Sequence, residues 1–260
     1  MKRYSTLIVL AALGAWMAVG GDFNRAAAED FRIDNAVFVG EQKTPAFEST
    51  TIFYKGIVYD CMKSPEETVV FEKSTSKFIL LNLKHRSRAE LTTGEVAAFT
   101  DRLQQDGTTK NTDPLVKFLS SPKFEEHFDE AAGELTLFSP LVSYRLTLLP
   151  ESNPATVEEY HGFSDGYALL NAMLTPGSRP PFGRLLVNAA LAKRQSMASQ
   201  VILTFTQGKA TNRQQITIRS THSVVRTLAS ADLELVAKTR EYLGGFKLVS
   251  FDQYLKIEQR

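Results

Sequence analysis

The chain has 260 residues, with 30 Lys and Arg against 29 Asp and Glu, and 43% of it is hydrophobic. A formal charge of +1 lacks the basic excess that polyanion binding demands, so no nucleic-acid partner is expected, while the length is ample for a buried core. The lone cysteine excludes an internal disulfide and leaves packing as the source of stability.

The first residues divide into a positive start at Lys2 and Arg3, an apolar stretch from Leu7 to Val19, and a polar segment ending in Ala26-Ala27-Ala28. Signal peptidases accept small side chains three residues and one residue before the cut, which Ala26 and Ala28 supply. Residues 1–28 therefore read as a secretory signal peptide, with Glu29 as the new N-terminus of an exported, periplasmic or extracellular protein. The alternative, a retained anchor, calls for about 20 uncharged residues. Thr6 to Gly21 is shorter than that, so no stable transmembrane span is expected after cleavage. Lipid attachment is excluded because it needs a cysteine just after the apolar stretch, and the only cysteine is Cys61. Loss of Lys2, Arg3, Arg25 and Asp22 leaves 27 bases against 28 acids.

Residues 29–260 read as a single α+β domain. Phe31 to Val39 is a first strand, and Thr50 to Met62 forms two runs joined at Lys55-Gly56, where a two-residue turn with glycine suits a hairpin. Thr68 to Glu72, Lys77 to Asn82 and Arg86 to Leu91 continue an antiparallel meander with one face buried. Cys61 is in phase with Ile57 and Tyr59 on one strand face, which suits a small buried apolar residue better than a reactive thiol.

At Thr92 the period changes. Thr92 and Glu95 make a capping box, and Val96, Phe99 and Leu103 follow at helical spacing until Gly107. Asp113-Pro114 starts a short helix. Strands are expected at Glu134 to Phe138 and Val142 to Leu148. A helix capped by Thr156 and Glu159 follows, its apolar face marked by Tyr160, Phe163, Tyr167, Leu170 and Leu174, and Pro176 to Pro181 breaks it. Phe182 to Gln195 is helical with Leu185, Leu186 and Ala189 inward. Gln200 to Thr206 and Gln214 to Val225 alternate as strands, Ser230 to Leu243 is a helix closed by Gly244-Gly245, and Lys247 to Ile257 reads as a final strand. Strands, helices, strands, helices and a strand in that order point to a curved antiparallel sheet, a meander or half-barrel, packed with several helices.

Gly162-Phe163-Ser164-Asp165-Gly166 matches the nucleophile elbow of serine hydrolases, which makes Ser164 with His222 the candidate catalytic pair. The elbow needs a strand before the serine and an acid between serine and histidine. Here a helix start precedes Gly162, and no aspartate or glutamate lies between Tyr167 and Ala231. None of the four histidines, His85, His127, His161 and His222, pairs at metal-ligand spacing, and Glu126 to Glu130 reads as a solvated acidic turn. No metal site and no cofactor are expected.

Lys84 to Arg88 is a small basic cluster of the kind that is ordinarily solvated surface. Phe124 to Gly166 carries nine acids and only Arg145 as base, whereas Tyr167 to Ala231 carries eight bases and no acid. Two such stretches either neutralise each other as neighbours in the fold or present a positive face to an anionic partner.

Phe31-Arg32-Ile33-Asp34-Asn35, Val37-Phe38-Val39-Gly40, Thr50-Thr51-Ile52-Phe53 and Val58-Tyr59-Asp60 resemble exported proteins of planctomycete-type bacteria, a resemblance that implies no activity. Strands interrupted by helices also resemble, in layout alone, the LolA-like lipoprotein carriers, whose curved sheet shelters acyl chains. Those begin with a helix, and this chain begins with strands. The expectation is a non-enzymatic envelope protein that binds or carries an apolar or acyl ligand. The alternatives are a structural or interaction protein that meets another envelope protein, and a serine hydrolase using Ser164.

Overall fold

The computed structural model describes residues 29–110, 112–151, 153–207 and 214–258. The expected signal segment lies outside them.

Twelve strands form one open, curved sheet: β1 (Phe31–Val39), β2 (Phe47–Tyr54), β3 (Ile57–Met62), β4 (Glu67–Glu72), β5 (Lys77–Asn82), β6 (Ser87–Thr92), β7 (Glu125–Asp129), β8 (Glu134–Phe138), β9 (Val142–Pro150), β10 (Ser196–Gln207), β11 (Gln214–Val225) and β12 (Lys247–Leu248). Their order across the sheet is β12-β6-β5-β4-β3-β2-β1-β11-β10-β9-β8-β7. Every pairing is antiparallel except the two-residue β12 beside β6. Most neighbours in the sheet are also neighbours in sequence, because short turns favour antiparallel hairpins. At the β2-β3 turn Lys55 and Gly56 both have positive φ, 52° and 73°, the conformation a tight two-residue hairpin requires.

The β1-β11 pair is the exception to local pairing. It runs Ile33 opposite Val224, Asn35 opposite His222 and Val39 opposite Ile218, and it fastens the N-terminal meander to the second half of the sheet.

Among the described residues six helices accompany the sheet: α1 (Thr93–Thr109), α2 (Pro114–Ser120), α3 (Pro154–Leu174), α4 (Phe182–Ala192), α5 (Ser230–Gly245) and α6 (Phe251–Glu258). The inner face of the sheet packs against the first four and Tyr254 of α6. One core there joins Phe31, Phe53, Phe71, Phe78 and Leu80 to Val96 of α1 and to Tyr160, Phe163 and Leu170 of α3. A second joins Leu135, Tyr144, Leu146, Val201 and Phe205 to Leu119 of α2 and to Val187 and Leu191 of α4. The outer face of β2 to β5 is covered by α5, with Ile52, Tyr59, Val70 and Leu81 against Val236 and Phe246.

Several local expectations are corrected. The start of α3 is capped by Asn153, whose Oδ1 accepts from the amides of Ala155 and Thr156, with Pro154 in the first turn. Thr156 is instead buried and takes the Glu29 amide. The inward face of α4 is Gly183, Val187, Asn188, Ala190 and Leu191, while Leu186 is 40% exposed. A Cβ at Gly183 would lie 3.0 Å from the Tyr144 hydroxyl, and this close approach sets the rotation of the helix. Lys247 to Ile257 is only briefly a strand. Ser250 and Gln253 bond reciprocally, as in a capping box, and α6 turns Tyr254 into the core. The acidic stretch at 125–129 is an exposed edge strand, with the turn following it.

Candidate functional site

The inner face of β1, β2, β3 and β11 carries a row of polar side chains between the aromatic core and an apolar end of the sheet. Strand alternation puts Asn35 and Ile33 of β1 on this face, and the register sets Ser49 and Thr51 of β2, Asp60 of β3 and His222 of β11 beside them. Asn35 Nδ2 donates to Thr51 Oγ1 at 2.9 Å and to Ser49 Oγ at 3.2 Å. Thr51 donates to Asp60 Oδ1 at 2.6 Å, and Ser49 and Tyr167 of α3 also hydrogen-bond the carboxyl group. Burial pushes the Asp60 carboxyl above its ordinary range against these three hydroxyls, and burial beside Asp60 holds the Tyr167 phenol well above its own.

This network fixes the histidine. Thr51 spends its proton on Asp60 and so accepts from Asn35, which turns the Asn35 Oδ1 toward His222 Nδ1 at 2.8 Å. The ring proton therefore sits on Nδ1, and Nε2 keeps a lone pair. Nε2 is sealed from solvent and has no partner among the described residues. Burial, helped by the Arg184 charge, pushes the His222 imidazole down to about 4, so the ring is neutral.

Arg184 is part-buried on α4, one turn before the buried Val187 and Asn188. Asn188 donates to Asp165 of α3 at 2.8 Å, and no carboxylate pairs with Arg184 or Arg179 among the described residues. Arg179 stacks over the Phe205 ring at 4.2 Å on the same inner face.

Beyond the polar row the inner face becomes an apolar shelf. Phe47 lies opposite Val37, Val39 opposite Ile218, and Ile218 opposite Leu203. Phe47 is 52% exposed and Val39 37%, and the other three are only part-buried.

A separate cleft of about 480 Å³ opens between the start of α3 and the turn into β10, lined by Lys73, Val157, His161 and Gln195 among others. There His161 Nε2 donates to the Ser196 carbonyl at 3.0 Å, and Lys73 pairs with Glu158 at 2.8 Å. Burial lowers the His161 pKa, and its buried Nδ1 has no partner.

Ser164 sits in the middle of α3, away from any strand-to-helix turn, so the strained elbow that would activate its hydroxyl is missing. The Nδ1 of His222 is bonded to Asn35, and its Nε2 makes no hydrogen bond to Ser164. The second glycine of the motif has a packing role. A Cβ on Gly166 would come within 2.7 Å of the Phe78 ring.

Cys61 faces the outer core, and burial raises its thiol to about 11, which makes it inert. The acidic and basic segments meet at Arg194 with Glu126 and at Arg226 with Glu151. In the small basic cluster, Arg88 pairs with Glu90 and Arg86 lies over Phe246. Among the described residues no group of three or more His, Cys, Asp or Glu is placed to hold a metal ion, and no helix is long and apolar enough to cross a membrane.

The sequence singles out His222 through the Ser164 pattern, whereas the structure joins it to Asn35. Asn35, Thr51, Asp60 and Tyr167 carry no spacing signal, since they meet only through strand register. No protein-family model matches the chain, and no curated protein is similar to it.

Proposed function

We propose that this chain is an exported, non-enzymatic binding or carrier protein for an apolar or acyl ligand, which it holds on the inner face of its sheet. The carrying observation is the shelf of Val37, Val39, Phe47, Leu203 and Ile218. Phe47 and Val39 are left open to water beside Leu203 and Ile218, which already pack on the second core, and exposed apolar side chains continuous with a core are the usual mark of a binding surface. The shelf lies beside two closed cores, so a ligand there would extend an existing apolar interior rather than build a new one. Export rests on the reading of residues 1–28, and an intact mass beginning at Glu29 in the extracytoplasmic fraction is the result expected of it.

The binding test uses 11-(dansylamino)undecanoic acid as the probe. Its emission should rise and shift to the blue with the wild-type protein, palmitate should displace it, and Phe47→Asp or Ile218→Asp should abolish the response while leaving the fold intact by circular dichroism. A folded wild-type protein that leaves the probe emission unchanged refutes the reading.

A further inference from the structure

The polar row adjoining the shelf is built for one kind of chemistry. His222 Nε2 is a fixed, buried acceptor, because the chain from Asp60 through Thr51 and Asn35 pins the proton on Nδ1. A buried acceptor left without a donor is costly, and such a group persists where a bound partner satisfies it. The partner must bring an O–H or N–H.

Arg184 adds a second requirement. Its positive charge is felt at His222, Tyr144 and His161, and Arg179 is felt at Tyr144, while neither arginine has an ion-pair partner among the described residues. Asp165 of the facing helix accepts from Asn188 and pairs with neither arginine. An anion beside a part-buried arginine gains a charge-assisted hydrogen bond. The apolar shelf begins one strand position beyond His222, at Ser220 opposite Val37.

Resting on the reading of the shelf as a ligand surface, we propose that Arg184 and His222 form its polar end, which takes a single-chain amphiphile whose head group carries both a negative charge and a hydroxyl or amide donor. The head group docks against α4 and β11, and the chain lies along Val37, Ile218 and Phe47.

Three probes with the same sixteen-carbon chain separate the requirements: palmitoyl lysophosphatidylglycerol has charge and hydroxyls, palmitate has charge alone, and monopalmitoylglycerol has hydroxyls alone. Each is titrated as a competitor of the dansyl probe on the whole protein. The lysophospholipid should compete about tenfold better than either of the others, the ratio expected from one charge-assisted hydrogen bond. Arg184→Gln should remove that gain for the two anions and spare monopalmitoylglycerol. His222→Asn keeps a donor to Asn35 but no Nε2, and should weaken the two hydroxyl compounds and spare palmitate.

Should a variant fail to fold, the wild type still decides. The ¹⁵N resonance of His222 Nε2 should move upfield toward the value of a hydrogen-bonded nitrogen when the lysophospholipid is added, and stay in place with palmitate. Equal competition by all three probes, with that resonance unmoved, overturns the head-group assignment while the shelf reading stands. Failure of all three to compete overturns both.

Discussion

The neutral state of His222 should make the protein acid-sensitive in a window set by that one ring. An unfolded imidazole titrates near 6.5 and the folded one near 4. Because the folded pKa is depressed, the unfolded chain binds the extra proton between these values, and stability present above pH 6.5 is lost as the pH falls toward 4. At about 1.4 kcal/mol per pH unit, the whole gap is worth about 3 kcal/mol, with about 1.4 kcal/mol lost by pH ~5.5 and about 2.5 kcal/mol by pH ~4.5. Asp60 works in the opposite sense. Its raised pKa makes the folded state hold a proton more readily, so acidification relieves its burial.

The two contributions separate by comparison with His222→Asn. The Asn amide nitrogen stands where Nδ1 stands and can still donate to Asn35, and the ring no longer titrates. Urea unfolding followed by circular dichroism, run on both proteins across this window, should show the wild type losing about 3 kcal/mol relative to the variant. Asp60 and the other three histidines cancel in the difference. A difference that stays flat from neutral pH to pH ~4 refutes the buried, pinned imidazole.

Two further outcomes test the packing. Gly162 and Gly166 lie one turn apart in α3, yet their alanine variants should differ in sign. Gly162→Ala meets no atom within 4 Å and should raise stability by about 0.5–1 kcal/mol through helix propensity, whereas Gly166→Ala drives a methyl into Phe78, which is fully buried and stacked on Phe71, and should lose about 1–3 kcal/mol. Equal urea midpoints for the two would remove the close approach of α3 to the sheet. For Cys61, a thiol titrating at about 11 should be silent to a disulfide-exchange reagent near pH 8 in the native protein and fully reactive in denaturant, and rapid native labelling would contradict its burial.

The N-terminal half of the sheet was legible in the sequence because each strand there is defined by local chemistry. The Lys55-Gly56 turn and the Thr92-Glu95 cap act within a few residues, whereas the expectation of one buried face fails for β3 to β5, which are covered by α3 on one side and by α5 on the other. Three elements escaped for different reasons. β7, Glu-Glu-His-Phe-Asp, has no buried face, so nothing in its pattern marks it as a strand until β8 pairs with it. The start of α3 lies ahead of the expected Thr156 cap because Asn153 caps the helix and Pro154 after it gives up only an amide that needs no partner. Lys247 to Ile257 has strand-like apolar alternation, but the reciprocal Ser250-Gln253 cap starts a helix within it.

The site was the least legible part. Asn35, Asp60, Tyr167 and His222 are far apart in sequence and are joined by register alone. The G-x-S-x-G pattern drew attention to Ser164, when its fixed Gly166 records a tight helix-to-sheet contact.

The seam between β1 and β11 has a consequence for how the molecule is made. Residues 31–92 can zip up by hairpins as soon as they emerge, but the free side of their first strand has to wait for a partner nearly two hundred positions away. Until that late segment arrives, the half-made sheet offers a bare row of amides and carbonyls to any passing chain. Closure of this long loop should be the slow step of folding, and a chaperone that shields the waiting strand would act at the point of greatest risk.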